Sequence, residues 1–152
     1  SAGLKCADNV SGALTCVFSL FEMKNGAADG TVDVRFPVCT CLENVRKTEE
    51  AAFAKAGCKF DGFMGDEPHC VDENSDFIRT LLRVFEKHTG QKGECIAIGG
   101  GTYVHNINGG VAFGAELGST DYHMHGADEF FPVSELIADA AIYGDAISEI
   151  CG

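Results

Sequence analysis

Three stretches of this sequence place chemically capable side chains at close spacing. His123-Met124-His125-Gly126-Ala127-Asp128-Glu129 sets two imidazoles and two carboxylates side by side ahead of a helix-like stretch. A histidine with a nearby carboxylate is the usual unit of a metal ligand and the group that orients it. Two histidines and a carboxylate so close along the chain would be cramped around one ion, and solvated histidines are common in acidic loops, so both readings stand at this point. Ile98-Gly99-Gly100-Gly101-Thr102 follows an apolar run, and consecutive glycines let another group approach bare backbone N–H donors. No Gly-Lys-Ser/Thr follows, and Val104 occupies the third glycine position of a dinucleotide fingerprint, so neither phosphate loop is present. Arg35 is third: its planar fork suits a carboxylate such as the free C-terminus of a peptide, while a surface pair with Asp33 is the plainer alternative.

Eight cysteines are present, and Cys39 and Cys41 are the only close pair. Without a second pair they do not make a four-ligand zinc site. The cysteines read as reduced thiols serving as small, buried apolar side chains, with thiol chemistry at Cys39 and Cys41 as a separate alternative.

The elements that must position these groups follow from periodicity. Ala13 to Met23 is rich in strand formers, and Asn25-Gly26 with Asp29-Gly30 supplies a turn. In Thr31 to Val38, Val32, Val34 and Phe36 alternate with Thr31, Asp33 and Arg35, predicting the return strand of a hairpin. Leu42, Val45, Ala52, Phe53 and Ala56 repeat at helical spacing up to Gly57, and Lys59 to Met64 reads as a third strand, so that one helix covers a small antiparallel sheet. A boundary falls at Gly65-Asp66-Glu67-Pro68. Beyond it come a helix with stripe Phe77, Ile78, Leu81, Leu82 and Phe85, capped from Asp72, Asn74 or Ser75 and stopped by Gly90, then strands at Cys95 to Ile98 and Val111 to Ala115. A final helix is opened by Pro132 with stripe Leu136, Ala140, Tyr143, Ile147 and Ile150. The fold class is α/β of the α+β kind: strand-strand-helix-strand, then helix-strand-strand-helix.

Composition narrows the partners. With 11 Lys+Arg against 23 Asp+Glu, the 152-residue chain carries a net charge of −12, which excludes a cationic face for nucleic acid or for anionic membrane surfaces. No apolar run is long enough to span a bilayer, and the first residues lack the pattern of a signal peptide, so a cytoplasmic protein is expected.

The order of these features resembles the C-terminal part of the dinuclear zinc peptidases of peptidase family M twenty, in the bacterial Xaa-His dipeptidase branch related to carnosinase and aminoacylase. The resemblance is carried by Val32-Asp33-Val34-Arg35-Phe36-Pro37, by Leu81 to Gly90, by Ile98 to Tyr103, by Gly110 to Gly114 and by Met124-His125-Gly126-Ala127-Asp128-Glu129-Phe130-Phe131-Pro132. It implies that residues 1–68 are the end of a lid or dimerisation domain and 69–152 the end of a catalytic domain. It further implies that His125 is a zinc ligand, with Glu129 supporting it. It implies too that Arg35 holds the carboxylate of the substrate, a dipeptide, and that Gly100 and Gly101 border that substrate. The branch is departed from after Tyr103, where Val104-His105 follows. The other ligands of the two zinc ions, and the glutamate that acts as general base, have no counterpart: His69 is followed by Cys70-Val71-Asp72, the wrong spacing, and Glu49-Glu50 lies within an amphipathic helix. Metal-activated water needs a base and a group to hold the oxyanion, so the chain alone is expected to be inactive. Unpartnered strands and stripes predict a homo-oligomer, and a non-catalytic binding or dimerisation module is the alternative.

Overall fold

The structure, a computed structural model, describes residues 5–114 and 120–152. It divides into two compact units, one built from residues up to 70 together with 97–101, the other from 71–96 and 102–152. Mixed helices and small antiparallel sheets make the fold α/β, as the periodicities predict.

In the first unit, β1 (Ala7–Asp8) and β2 (Gly12–Ala13) form a minimal hairpin, and β3 (Thr15–Lys24) pairs antiparallel with β4 (Ala27–Arg35). The β3–β4 turn is Asn25-Gly26, both at positive φ (52° and 79°), the backbone that a two-residue turn between right-twisted strands requires. Asp29-Gly30, also read as turn material, lies inside β4 because the tighter Asn-Gly turn closes the hairpin first. Pairing passes from Phe18 opposite Val32 to Leu20 opposite Thr31, leaving Ser19 as a bulge whose hydroxyl donates to the Thr31 carbonyl at 3.2 Å. The register therefore puts Cys16, Phe18, Phe21 and Met23 on one face with Val34, Val32, Gly30 and Ala28. A Cβ on Gly30 would meet both Phe18 and Phe21 side chains within 4 Å.

The helix α1 (Leu42–Lys55) forms where predicted; the Glu67 carboxylate accepts from its Leu42 N–H at 3.0 Å, satisfying a donor the helix leaves open. Val45 is buried, and so is Glu49, whose Oε1 has no hydrogen-bond partner. Burial pushes the Glu49 carboxyl above the usual range. The third strand expected at Lys59 to Met64 does not form. Phe60 instead packs on Phe53 of α1 and on Phe63 (centroids 5.8 and 6.2 Å), a three-residue spacing incompatible with strand alternation. Every residue of β3 is exposed, so the predicted layer of helix over sheet is not closed; a two-stranded ribbon is too small to hold one.

In the second unit, α2 (Asp76–Thr89) packs on α3 (Val133–Cys151). Ser75 caps α2 by accepting from Ile78 N–H at 3.3 Å, and Gly90, at φ 68°, ends it. The core is Ile78, Leu81, Val84, Ile142 and Ala146, flanked by Val71, Phe77, Leu82, Phe85, Val111 and Phe113. Lys87 and His88 meet Asp145 at 2.7 and 2.8 Å, and Arg83 meets Glu149, outside this core. The stripe predicted for α3 is not the buried one: Leu136 and Ile147 are 60% and 61% exposed, whereas Ile142 is fully buried. The helix is apolar on more than one side, so spacing alone does not select the face that meets α2. The strands expected at Cys95 to Ile98 and Val111 to Ala115 carry no ladder among the described residues, Ala115 lying outside them. A strand exists through its neighbour, and neither segment has one here.

Candidate functional site

Arg35 ends β4, where strand alternation sets it on the same face as Asp33. Its Nε donates to Asp33 Oδ1 at 2.7 Å and its Nη2 to Oδ2 at 3.1 Å, a two-point grip by the carboxylate. Nη1 donates to the Gly99 carbonyl at 2.7 Å. The hydrogen bond and charge of Asp33 raise the guanidinium pKa further above its ordinary value, so the group is a permanent cation. The surface pair weighed from sequence thus exists. The same arginine is also joined to the triple-glycine stretch, which brings two predicted site elements together within one unit.

Gly100 and Gly101 are exposed, and a Cβ at either position would meet nothing within 4 Å. Neither has a positive φ. Within this chain, then, neither crowding nor backbone conformation demands glycine there.

The histidine loop belongs to the second unit and is built onto the start of α3. The Tyr122 hydroxyl bonds Glu135 in the first turn of α3 at 2.6 Å, Tyr122 stacks on Phe131 at 5.5 Å, and Phe130 N–H closes the loop onto the Tyr122 carbonyl at 3.2 Å. His123, His125 and Asp128 all adopt positive φ (54°, 62° and 58°), a concentration of left-handed backbone at non-glycine positions that only an over-determined loop maintains. Gly126 N–H donates to the His123 carbonyl at 2.7 Å, and a Cβ at Gly126 would approach that oxygen to 2.9 Å, so glycine is required at the turn. Glu129 Oε2 accepts from His125 N–H at 3.4 Å, placing the carboxylate beside the histidine through its backbone. The His123 ring meets Phe130 edge-on at 5.9 Å. Tyr122, Met124, Glu129, Phe130 and Phe131 line an open recess of about 400 Å³. Sequence reading singled out His125 and Glu129 but not Tyr122 or its bond to Glu135; the aromatic residues flanking the histidines were the available signal.

As to zinc, imidazole and carboxylate are donor types it accepts, and His125 with Glu129 supplies one of each. Among the described residues no three His, Cys, Asp or Glu side chains converge as a metal-holding group. Among the described residues, His125 and Glu129 thus offer donors of the types that zinc accepts. None of the eight cysteines is buried; Cys6 and Cys41 are half-buried and the others exposed, contrary to the core role expected of them. Among the described residues no helix is long and apolar enough to cross a membrane.

No family model matches the chain. It is similar over nearly its whole length to proteins named as dipeptidases. It is 37% identical over 145 residues to the Beta-Ala-Xaa dipeptidase of Lactobacillus delbrueckii subsp. lactis, covering 94% of this chain and 30% of that protein. It is 31% identical over 148 residues to YtjP, a dipeptidase-named protein of Bacillus subtilis (97% of this chain, 31% of that one). It is 29% identical over 150 residues to a dipeptidase-named protein of Staphylococcus epidermidis (98% and 32%). The chain spans about a third of the length of these relatives.

Proposed function

We propose that this chain forms part of a zinc-dependent dipeptidase of peptidase family M twenty, contributing a substrate clamp and one metal ligand. The observation that carries the reading is the Arg35 fork, tied to the glycine stretch at Gly99 and held by Asp33, in a chain similar to dipeptidases over nearly its whole length. A fixed cation beside exposed backbone donors suits a dipeptide, whose free carboxylate lies one residue from the scissile bond. Gly100 and Gly101, which nothing among the described residues requires, leave that backbone open to an outside group.

In this reading residues 1–68 belong to a lid domain and 69–152 to a catalytic domain. His125 is the zinc ligand that this chain supplies, and Glu129 holds its backbone in place. A zinc ion lowers the pKa of bound water and polarises a carbonyl, but its remaining ligands and the general base are not among these residues, and no step on the metal is assigned to them. The chain alone is accordingly inactive and binds zinc weakly; dipeptide hydrolysis above background by the purified chain with zinc would overturn this. The protein is further proposed to be cytoplasmic and to self-associate through its exposed β3–β4 ribbon and the uncovered stripe of α3, which sedimentation at micromolar concentration tests.

The clamp is tested by replacing the matching third of the Lactobacillus enzyme with this chain and changing Arg35 to Ala. kcat/KM for dipeptides is expected to fall by about 2–5 kcal/mol, and much less for C-terminally amidated ones. Equal losses for both substrates would show that Arg35 is structural. Gly100→Ala in the same chimaera should lower activity while leaving the melting of the 152-residue chain unchanged.

A further inference from the structure

Away from Arg35 and the histidine loop, a second cluster of reactive side chains sits at the start of the first unit. Asp8 Oδ1 accepts from the N–H groups of Val10 (3.0 Å) and Ser11 (2.5 Å), closing the turn between β1 and β2. Asp8 Oδ2 reaches across to accept from Cys39 N–H at 3.1 Å, and Ser11 Oγ accepts from Val38 N–H at 2.9 Å. The segment that leaves β4 is thus clasped to the first hairpin at two consecutive residues. Cys6 lies two residues before Asp8, with its carbonyl continuing the β1–β2 ladder through Leu14 N–H at 2.9 Å, so Cys6 and Asp8 share a face of the extended chain. Cys39, held to Asp8 through its N–H, has its thiol within electrostatic reach of both the Asp8 carboxylate and the Cys6 thiol.

We propose that Cys6 and Cys39 are a disulfide-forming pair, oxidised by low-molecular-weight disulfides such as glutathione disulfide and reversed by thiols. Cys39 is exposed and Cys6 half-buried, which sets the order of events. The Cys39 thiolate attacks one sulfur of glutathione disulfide, breaking its S–S bond and releasing one glutathione thiolate. The Cys6 thiolate then attacks Cys39 Sγ in the mixed disulfide and releases the second. Two protein thiols and one glutathione disulfide become one protein disulfide and two glutathione molecules, each carrying away one of the two protons. Desolvation and the Asp8 carboxylate hold the Cys39 thiol above the ordinary thiol range, so proximity rather than acidity selects the pair. The bond would close the chain between residues 6 and 39 into a covalent loop that contains the whole β3–β4 hairpin and Arg35. The inference rests on the first unit's own geometry and stands apart from the proposed peptidase role.

The test uses the 152-residue chain at pH 8 with glutathione disulfide, free thiols then being blocked with N-ethylmaleimide, followed by trypsin digestion and tandem mass spectrometry. A linked pair joining peptide 6–24 to peptide 36–46 is expected to dominate. It should vanish on reduction and in Cys39→Ser, persist in Cys41→Ser and Cys16→Ser, and form at least roughly tenfold faster in the native chain than in urea. Linkage that survives Cys39→Ser, that depends on Cys41 or Cys16, that joins separate chains, or that forms no faster when native than when unfolded overturns the proposal. Circular dichroism of Cys39→Ser confirms that its loss of linkage is not a loss of fold.

Discussion

Replacing Ile142 with Ala should cost far more stability than replacing Ile147, although both are isoleucines on α3 and only Ile147 belongs to the stripe that spacing selects. Ile142 is fully buried among Ile78, Leu81, Val84 and Ala146, so truncation removes most of its packing and leaves a cavity between two helices. Ile→Ala at such a site costs about 2–5 kcal/mol. Ile147 is 61% exposed; truncation there forfeits little burial and replaces a β-branched residue with the strongest helix former, for a net change within about 0.5 kcal/mol. For a unit of this size each kcal/mol moves the melting temperature by about 4–8 °C, so Ile142→Ala should lower the α2–α3 transition by at least about 8 °C. Ile147→Ala should leave it within a few degrees. Thermal denaturation followed at 222 nm reads both, with urea titration as a check on the free energies. Equal losses for the two variants, or a larger loss at Ile147, would refute the packing of α3 and restore the stripe read from the sequence.

Ser75→Ala removes the oxygen that accepts from Ile78 N–H and should destabilise α2 by about 0.5–2 kcal/mol in urea titration, with Ser75→Asn close to the parent. Asp8 is held at a pKa of about 2, chiefly by the Ser11 N–H, below the 3.8 of an unperturbed aspartate; the stability it contributes is present above that unfolded value and is lost as pH falls from about 4 toward 2. Asp8→Asn should therefore lower the melting temperature at neutral pH and flatten its decline in that acid window, and an unchanged acid profile would count against the Asp8 clasp. Glu49 has the opposite sign: burial raises its folded pKa, so its ionised form weakens the fold at neutral pH and protonation relieves the penalty as pH falls through the raised value. Glu49→Gln should melt higher than the parent at pH 8, with the gap closing in acid; a lower melting temperature at pH 8 would show that the carboxylate is paired.

The helices were legible because their signals are local. Ser75, Gly90 and Pro132 act within a turn of themselves, and a 3.6-residue stripe survives whatever surrounds it. The Asn25-Gly26 turn was legible for the same reason, since its two positive φ values suit those residue types. Segments 59–64, 95–98 and 111–114 were misread because a strand needs a partner that alternation cannot certify, and Phe60, with Phe63 beside it, packs on Phe53 of α1 instead. On α3, the choice between Ile142 and Ile147 belongs to the shape of α2 rather than to either residue. At the candidate site, the residue types of Arg35, His125 and Glu129 announced their chemistry. What sequence could not supply was the Gly99 carbonyl on Arg35 and the Tyr122–Glu135 bond, which join positions 64 and 13 residues apart.

The unmatched residue in β3 works as a phase shifter. Counting by twos from Phe18 would put Leu20 beside it and send Phe21 and Met23 to the opposite side; Ser19 absorbs one step, and the two aromatic rings arrive together over Gly30. The amphipathic character of this ribbon is therefore set by a chain-length relation rather than by residue identities. Deleting Ser19 would leave Phe18 and Phe21 two positions apart and keep Phe18, Phe21 and Met23 on one surface, whereas pairing Ser19 as a regular strand residue would exchange Leu20 and Glu22 with Phe21 and Met23. A deletion tolerated at Ser19 and a one-residue insertion beside it that is not would be two readings of the same geometric count, and homologous ribbons aligned without regard to it would compare residues of one surface with residues of the other.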